Sequence, residues 1–128
     1  MSKYDVNKFK QVTVALNTPF QLDGSVDLKA VRAVVNYFYN KGIRQMYVCG
    51  STGEGFLLDT QERMAVTETV VEEAAGRMNI IVHVGCPDTR HSEELARHAE
   101  KAGADATSAV PCVYYRMGEE SVFQHWTK

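Results

Sequence analysis

The residues best suited to chemistry are the two hydroxyls in Gly50-Ser51-Thr52-Gly53-Glu54-Gly55, which follows directly on the apolar run Met46-Tyr47-Val48-Cys49. A short buried strand ending in glycine, two hydroxyls and then a helix start would turn hydroxyl and backbone N–H donors toward a small anion. The segment is not a phosphate-gripping P-loop, which needs Lys and then Ser or Thr after its last glycine, where Phe56 stands here. Nor is it a dinucleotide fingerprint, because the glycine spacing differs and no acidic partner follows a second strand. A small-anion site remains, beside the plainer reading of a glycine-rich turn whose Ser51 and Thr52 satisfy their own backbone.

Two other sets of side chains could do chemistry. Cys49, Cys86 and Cys112 each fall at or just past the end of an expected strand, and with His83 they match zinc ligands in type. None of them is paired at the short spacing of a structural zinc site. Small buried thiols beneath a rim are therefore the expected role, and no metal is assigned. The lysines Lys3, Lys8, Lys10, Lys29, Lys41, Lys101 and Lys128 all fall in the N-terminal tail or on expected helices. A nucleophilic amine needs a desolvated pocket, so none is assigned that role. His91, His98 and His125 are expected on helix surfaces.

The elements that must position these residues alternate between strand and helix. Gln11–Asn17 reads as a strand, and Leu28, Val31, Val35 and Phe38 recur at helical spacing from about Asp27 to Lys41. Gln45–Cys49 is a second strand, and a helix capped by Asp59 or Thr60 runs to about Ala75. Asn79–Val84 is a third strand, followed by a helix from Thr89 or Ser92 through Lys101. Asp105–Val110 is a weaker fourth strand, and Glu119–Lys128 opens a fourth helix with no visible end. Gly42, Gly76 and Gly103 sit where helix-ending glycines belong. Four βα units in series imply a parallel sheet, apolar on both faces where helices cover it. Right-handed crossovers would gather the loops after Asn17, Cys49, Val84 and Val110 at one end. A flavodoxin-like open sheet and half of a (β/α)₈ barrel both fit this periodicity. The unfinished last helix favours the half barrel, with residues 1–10 as an N-terminal tail and 11–128 as the incomplete barrel domain.

Composition narrows the partners. Fourteen basic against sixteen acidic residues give a formal net charge of −2, which suits neither nucleic acid nor an anionic membrane surface. No apolar run approaches the roughly 18 residues of a membrane span. The first residues lack the apolar core of a secretory signal. Three sparse cysteines fit a reducing compartment, so a cytoplasmic protein is expected.

Several blocks taken together resemble the dihydrodipicolinate synthase and N-acetylneuraminate lyase family of class I pyruvate aldolases. They are Val14-Ala15-Leu16-Asn17-Thr18-Pro19-Phe20, Gly42-Ile43, Tyr47 through Gly55, Glu62-Arg63, His83-Val84-Gly85-Cys86, and Ser108-Ala109-Val110-Pro111 with Tyr114-Tyr115. His83-Val84-Gly85 is similar to the sialic acid lyase branch. The resemblance covers residues 12–128 and implies the first half of a (β/α)₈ barrel. It implies reversible cleavage of N-acetylneuraminate to N-acetylmannosamine and pyruvate through a lysine imine. The alternative within the family is dihydrodipicolinate synthase or another pyruvate-dependent aldolase; the alternative outside it is a non-catalytic half-barrel fragment or assembly module.

By the same resemblance, Ser51 and Thr52 would bind the substrate carboxylate. Tyr114, with Tyr115 as the fallback, would enter the active-site hydrogen-bond relay as a catalytic residue. The imine-forming lysine and the proton-shuttling tyrosine belong to the family's sixth and fifth strands, expected beyond Lys128, so the chain alone is expected to be inactive. The implied partner is a small-molecule 2-oxo acid or sialic acid, with no cofactor, and the implied assembly is a homo-oligomer, a homotetramer in the closest reading.

Overall fold

The computed structural model describes residues 5–111 and 115–128. Four strands, β1 (Val14–Ala15), β2 (Gln45–Val48), β3 (Asn79–His83) and β4 (Ala106–Ser108), alternate with four helices, α1 (Leu28–Asn40), α2 (Thr60–Ala74), α3 (Thr89–Ala102) and α4 (Glu119–Trp126). All three strand pairings are parallel, and the spatial order is β1-β2-β3-β4. A doubly wound sheet reverses its strand order at a switch point. An unreversed order, with α1 packed against α2 and α2 against α3, is the winding of a (β/α)₈ barrel, of which four units are present.

The helix boundaries follow from their caps. The Asp27 side chain accepts from the Ala30 N–H at 2.9 Å, and Asp88 does the same for His91 at 3.0 Å. Asp59 and Glu62 form a reciprocal capping box at the start of α2. Asp88, rather than Thr89 or Ser92, starts α3; the Ser92 hydroxyl instead accepts from the Cys86 N–H at 2.9 Å. The three helix-ending glycines take positive φ as expected: Gly42 at 88°, Gly76 at 70° and Gly103 at 96°. β1 is much shorter than the apolar pattern suggests. Val12 is 73% exposed and makes no part of the sheet.

Strand alternation divides the sheet into two faces. Met46, Val48, Ile80 and Val82 point to the helices and pack with Val31 and Val35 of α1, Val66 and Val70 of α2, and Leu95 and Ala99 of α3. The other face carries Ala15, Tyr47, Ile81 and Ala106 in one register row. Gln45 and Asn79 lie on one side of that row, and His83 and Ser108 on the other. Periodicity makes both faces of a covered sheet look alike, but the inner face is largely polar or small.

Residues 5–10 take part in the fold. Val6–Phe9 forms a 3₁₀ turn under the N-terminal ends of the strands. There Gln45 Nε2 donates to the Phe9 carbonyl at 3.2 Å and Asn79 Nδ2 to the Lys8 carbonyl at 2.9 Å. Lys8 pairs with Asp105 at 2.8 Å.

Candidate active site

Ser51 and Thr52 lie in the turn leaving the C-terminal end of β2, the end at which (β/α)₈ enzymes place their chemistry. Glycine chemistry fixes that turn. A Cβ on Gly55 would stand 1.9 Å from the Cys49 carbonyl oxygen, and one on Gly53 would stand 2.9 Å from the Leu16 carbonyl oxygen. A Cβ on Gly50 would meet the Tyr47 ring at 2.5 Å. The backbone therefore passes where no side chain fits, and Cys49 and Glu54 adopt positive φ of 57° and 55° to close it. The buried Thr18 hydroxyl donates to the Gly53 carbonyl at 2.7 Å, and the Gly55 N–H donates to the Gly50 carbonyl at 3.1 Å. Ser51 and Thr52 are both exposed, and among the described residues neither hydroxyl has a hydrogen-bond partner. The plain-turn reading required those hydroxyls to satisfy local backbone; Thr18 does that work instead.

Around this loop the inner face presents Tyr47, His83 and Ser108. The Tyr47 hydroxyl donates to Ser108 Oγ at 3.2 Å, and its ring lies under Gly50. The His83 ring stands edge-on to Phe56 at 5.4 Å and tilted to Tyr47 at 6.2 Å. Beneath it runs Arg63 of α2, only 3% exposed. Its guanidinium donates to the His83 carbonyl at 2.6 Å, to the Gly85 carbonyl at 3.0 Å and to Cys86 Sγ at 3.2 Å, while its Nε has no partner among the described residues. Burial first, and the Arg63 charge second, hold the His83 pKa below its ordinary value; a hydrogen bond to the Cys49 backbone opposes them.

The cysteines serve this framework. The Cys49 thiol donates to the Arg63 carbonyl at 3.9 Å, and burial pushes its pKa up to about 11. It is a neutral thiol filling space, and Cys86 is tied to the guanidinium; Cys112 lies outside the described residues. Among the described residues no group of three or more Cys, His, Asp and Glu side chains could hold a metal ion.

Tyr114 also lies outside the described residues, and Tyr115 is exposed. The histidines are less solvated than expected. His98 of α3 reaches Glu68 of α2 at 2.8 Å with 17% side-chain exposure, and His125 Nδ1 lies 2.8 Å from the Thr89 hydroxyl. Sequence reasoning passed over Tyr47, Ser108 and Arg63 as working parts. The alternation that puts Tyr47 and Gln45 on the inner face was readable. A charged Arg63 at a core position of α2, in step with Val66 and Val70, was the other available signal.

Residues 8–128 match the model of the dihydrodipicolinate synthetase family, and the chain belongs to that family. It is 36% identical to an N-acetylneuraminate lyase from Mediterraneibacter gnavus over 122 residues, which cover 95% of this chain and 39% of that protein. It is 42% identical to a 4-hydroxy-tetrahydrodipicolinate synthase from Chlorobaculum parvum, over 89% of this chain and 38% of that protein. In structure it superposes on a catalytic-lysine mutant of the Ruminococcus gnavus sialic acid aldolase with a TM-score of 0.93 at 36% identity, covering 96% of this chain and 40% of that one. The dihydrodipicolinate synthase from Aquifex aeolicus gives 0.85 at 33% identity, covering 89% and 39%. The chain thus spans about 40% of the length of these relatives and corresponds to the N-terminal part of their barrel. Among the described residues no helix is long and apolar enough to cross a membrane.

Proposed function

We propose that this chain is the carboxylate-binding part of an N-acetylneuraminate lyase-like aldolase, with Ser51 and Thr52 holding the carboxylate of pyruvate or of the sugar acid. The observation that carries this reading is a pair of exposed hydroxyls, unpartnered among the described residues, on a loop whose path is fixed by three glycine contacts, at the C-terminal end of a barrel strand. Pre-organised donors lose little freedom on binding an anion, and a carboxylate offers two acceptors to two adjacent hydroxyls. The neighbouring keto carbon would be attacked by a lysine amine to give an imine, a proton-shuttling tyrosine would assist carbon–carbon cleavage, and Tyr114 would join the relay.

No lysine of this chain is assigned the attacking amine. Lys29, Lys41 and Lys101 lie on or at the ends of helices, and Lys8 is paired with Asp105 beneath the sheet. The whole activity therefore needs the sixth-strand lysine that the family supplies. The sialic acid branch is favoured by His83-Val84-Gly85 and by the similarity to the sialic acid aldolase; the synthase relative at 42% identity makes dihydrodipicolinate synthesis the second reading. A small-molecule substrate, a cytoplasmic location and a homo-oligomeric assembly complete the proposal.

Borohydride reduction in the presence of pyruvate tests the division of labour. No adduct is expected on this chain alone, whereas saturable pyruvate binding without reduction is expected. A reduced lysine adduct would overturn the assignment of the amine elsewhere. Absence of any pyruvate binding would leave the non-catalytic half-barrel as the better description.

A further inference from the structure

His83 joins two parts of the mouth that the sequence keeps apart. It ends β3, is 2% exposed, and lies on the inner face beside the hydroxyl loop, against Phe56 and Tyr47. Its Nε2 accepts the Val110 N–H at 3.2 Å, from the backbone just past β4 that leads in sequence toward Tyr114. A neutral imidazole has one acceptor nitrogen; Nε2 has the shorter contact to a donor, 3.2 Å from the Val110 nitrogen against 3.4 Å between Nδ1 and the Arg63 guanidinium, and it is assigned the lone pair, with the ring proton on Nδ1. The crowding is close: a Cβ on Gly85 would stand 3.0 Å from Nε2. The charged group facing the ring among the described residues is Arg63 of α2, whose Nη2 lies 3.4 Å from Nδ1. Tyr47 of β2 is the titratable side chain beside it, and Ser108 and Ala109 on the β4 side carry no charge. The ring thus faces two donors, the Val110 N–H and the guanidinium, with the Cys49 backbone as its acceptor, and among the described residues no carboxylate meets a second ring proton.

We propose that His83 is a positioning residue, whose unprotonated Nε2 holds the backbone after β4 against the hydroxyl loop and releases it when the ring takes up a proton. The proposal rests on the aldolase reading only for what the held backbone would serve. On protonation Nε2 changes from acceptor to donor and faces the Val110 N–H, so that bond is lost and replaced by donor–donor repulsion. The guanidinium and burial both resist that protonation, so the backbone stays held at neutral pH.

Nuclear magnetic resonance on this chain tests it through the Val110 amide proton and the His83 ring nitrogens. The ring is expected as the Nδ1–H tautomer at pH 7.5. The Val110 amide is expected to shift upfield on acidification with the same midpoint as the ring. His83→Gln supplies an acceptor that does not titrate, so Val110 should stay protected and lose its pH step. His83→Phe keeps a ring without an acceptor, and Val110 exchange should speed up by about tenfold while Val70 in the core is unchanged. A ring that titrates without moving Val110, or a pH step that persists in His83→Gln, would overturn the proposal. Should His83→Phe fail to fold, the wild-type titration and His83→Gln still decide. None of these readouts uses substrate, so failure of the His83–Val110 proposal and failure of pyruvate binding are separate results.

Discussion

The two ends of the inner sheet face are built from similar residues and behave differently. At the N-terminal end Gln45 is 1% exposed, and its amide reaches Thr13 Oγ1, the Phe9 carbonyl and Asn79. The Gln45 and Asn79 side chains there are both hydrogen-bonded within the fold, and Lys8 and Asp105 close the edge. At the C-terminal end the backbone is held by Thr18 and three glycines, yet among the described residues the hydroxyls of Ser51 and Thr52 have no partner. Satisfied polar groups lock a fold; rigidly held, unsatisfied and exposed ones are ready to bind. The contrast separates the end that keeps the sheet together from the end proposed to meet a ligand.

Substitutions can break that contrast in graded steps. The largest effect is expected from Gly55→Ala, since its Cβ would sit inside the Cys49 carbonyl; a loss on the order of 3 kcal/mol or more in urea unfolding is predicted, with loss of pyruvate binding. Arg63→Met comes next, because it leaves the buried His83 and Gly85 carbonyls without donors. A loss of roughly 2–4 kcal/mol is expected, and Arg63→Lys should recover only part of it because an ammonium cannot span the same carbonyls. At the other end Gln45→Leu should cost about 1–3 kcal/mol and leave pyruvate affinity unchanged. An equal loss of affinity there would erase the proposed division between the ends.

A smaller effect follows from His83. Its folded pKa lies below the ordinary value of 6.5, so the unfolded chain binds more protons between the two. This group's stabilisation is complete above that ordinary value and is lost as pH falls toward the folded value. The thermal midpoint should therefore drop further between pH 7.5 and 5.5 in the wild type than in His83→Gln; an equal drop would show that the ring is not perturbed as described.

The sequence made the alternation of elements legible because helical spacing, capping aspartates and helix-ending glycines are local signals. It also pointed to Ser51 and Thr52, since a strand followed by glycines and hydroxyls is local too. Periodicity could not choose between an open sheet and a barrel, because strand order is decided by packing between units. The extent of β1 was misjudged because apolar Val12 and Val14 look alike in sequence while only Val14 finds a partner strand. Arg63, Tyr47 and Ser108 were missed as a group because their roles depend on three different units meeting at one end. Tyr114 was named through resemblance, by its place in a block rather than by any local pattern of its own.

The smallest change to the fold should carry the largest change to binding. Ser51→Ala with Thr52→Val removes two exposed hydroxyls that have no partner among the described residues, so stability should stay within about 0.5 kcal/mol. The direct test is a residue-resolved titration of this chain with pyruvate, read at the amides of Ser51, Thr52 and Gly53. Saturable shifts are predicted at those amides in the wild type, with their loss in the folded double variant. Shifts that persist in the double variant, or that never arise at this loop in the wild type, would contradict the proposed carboxylate site.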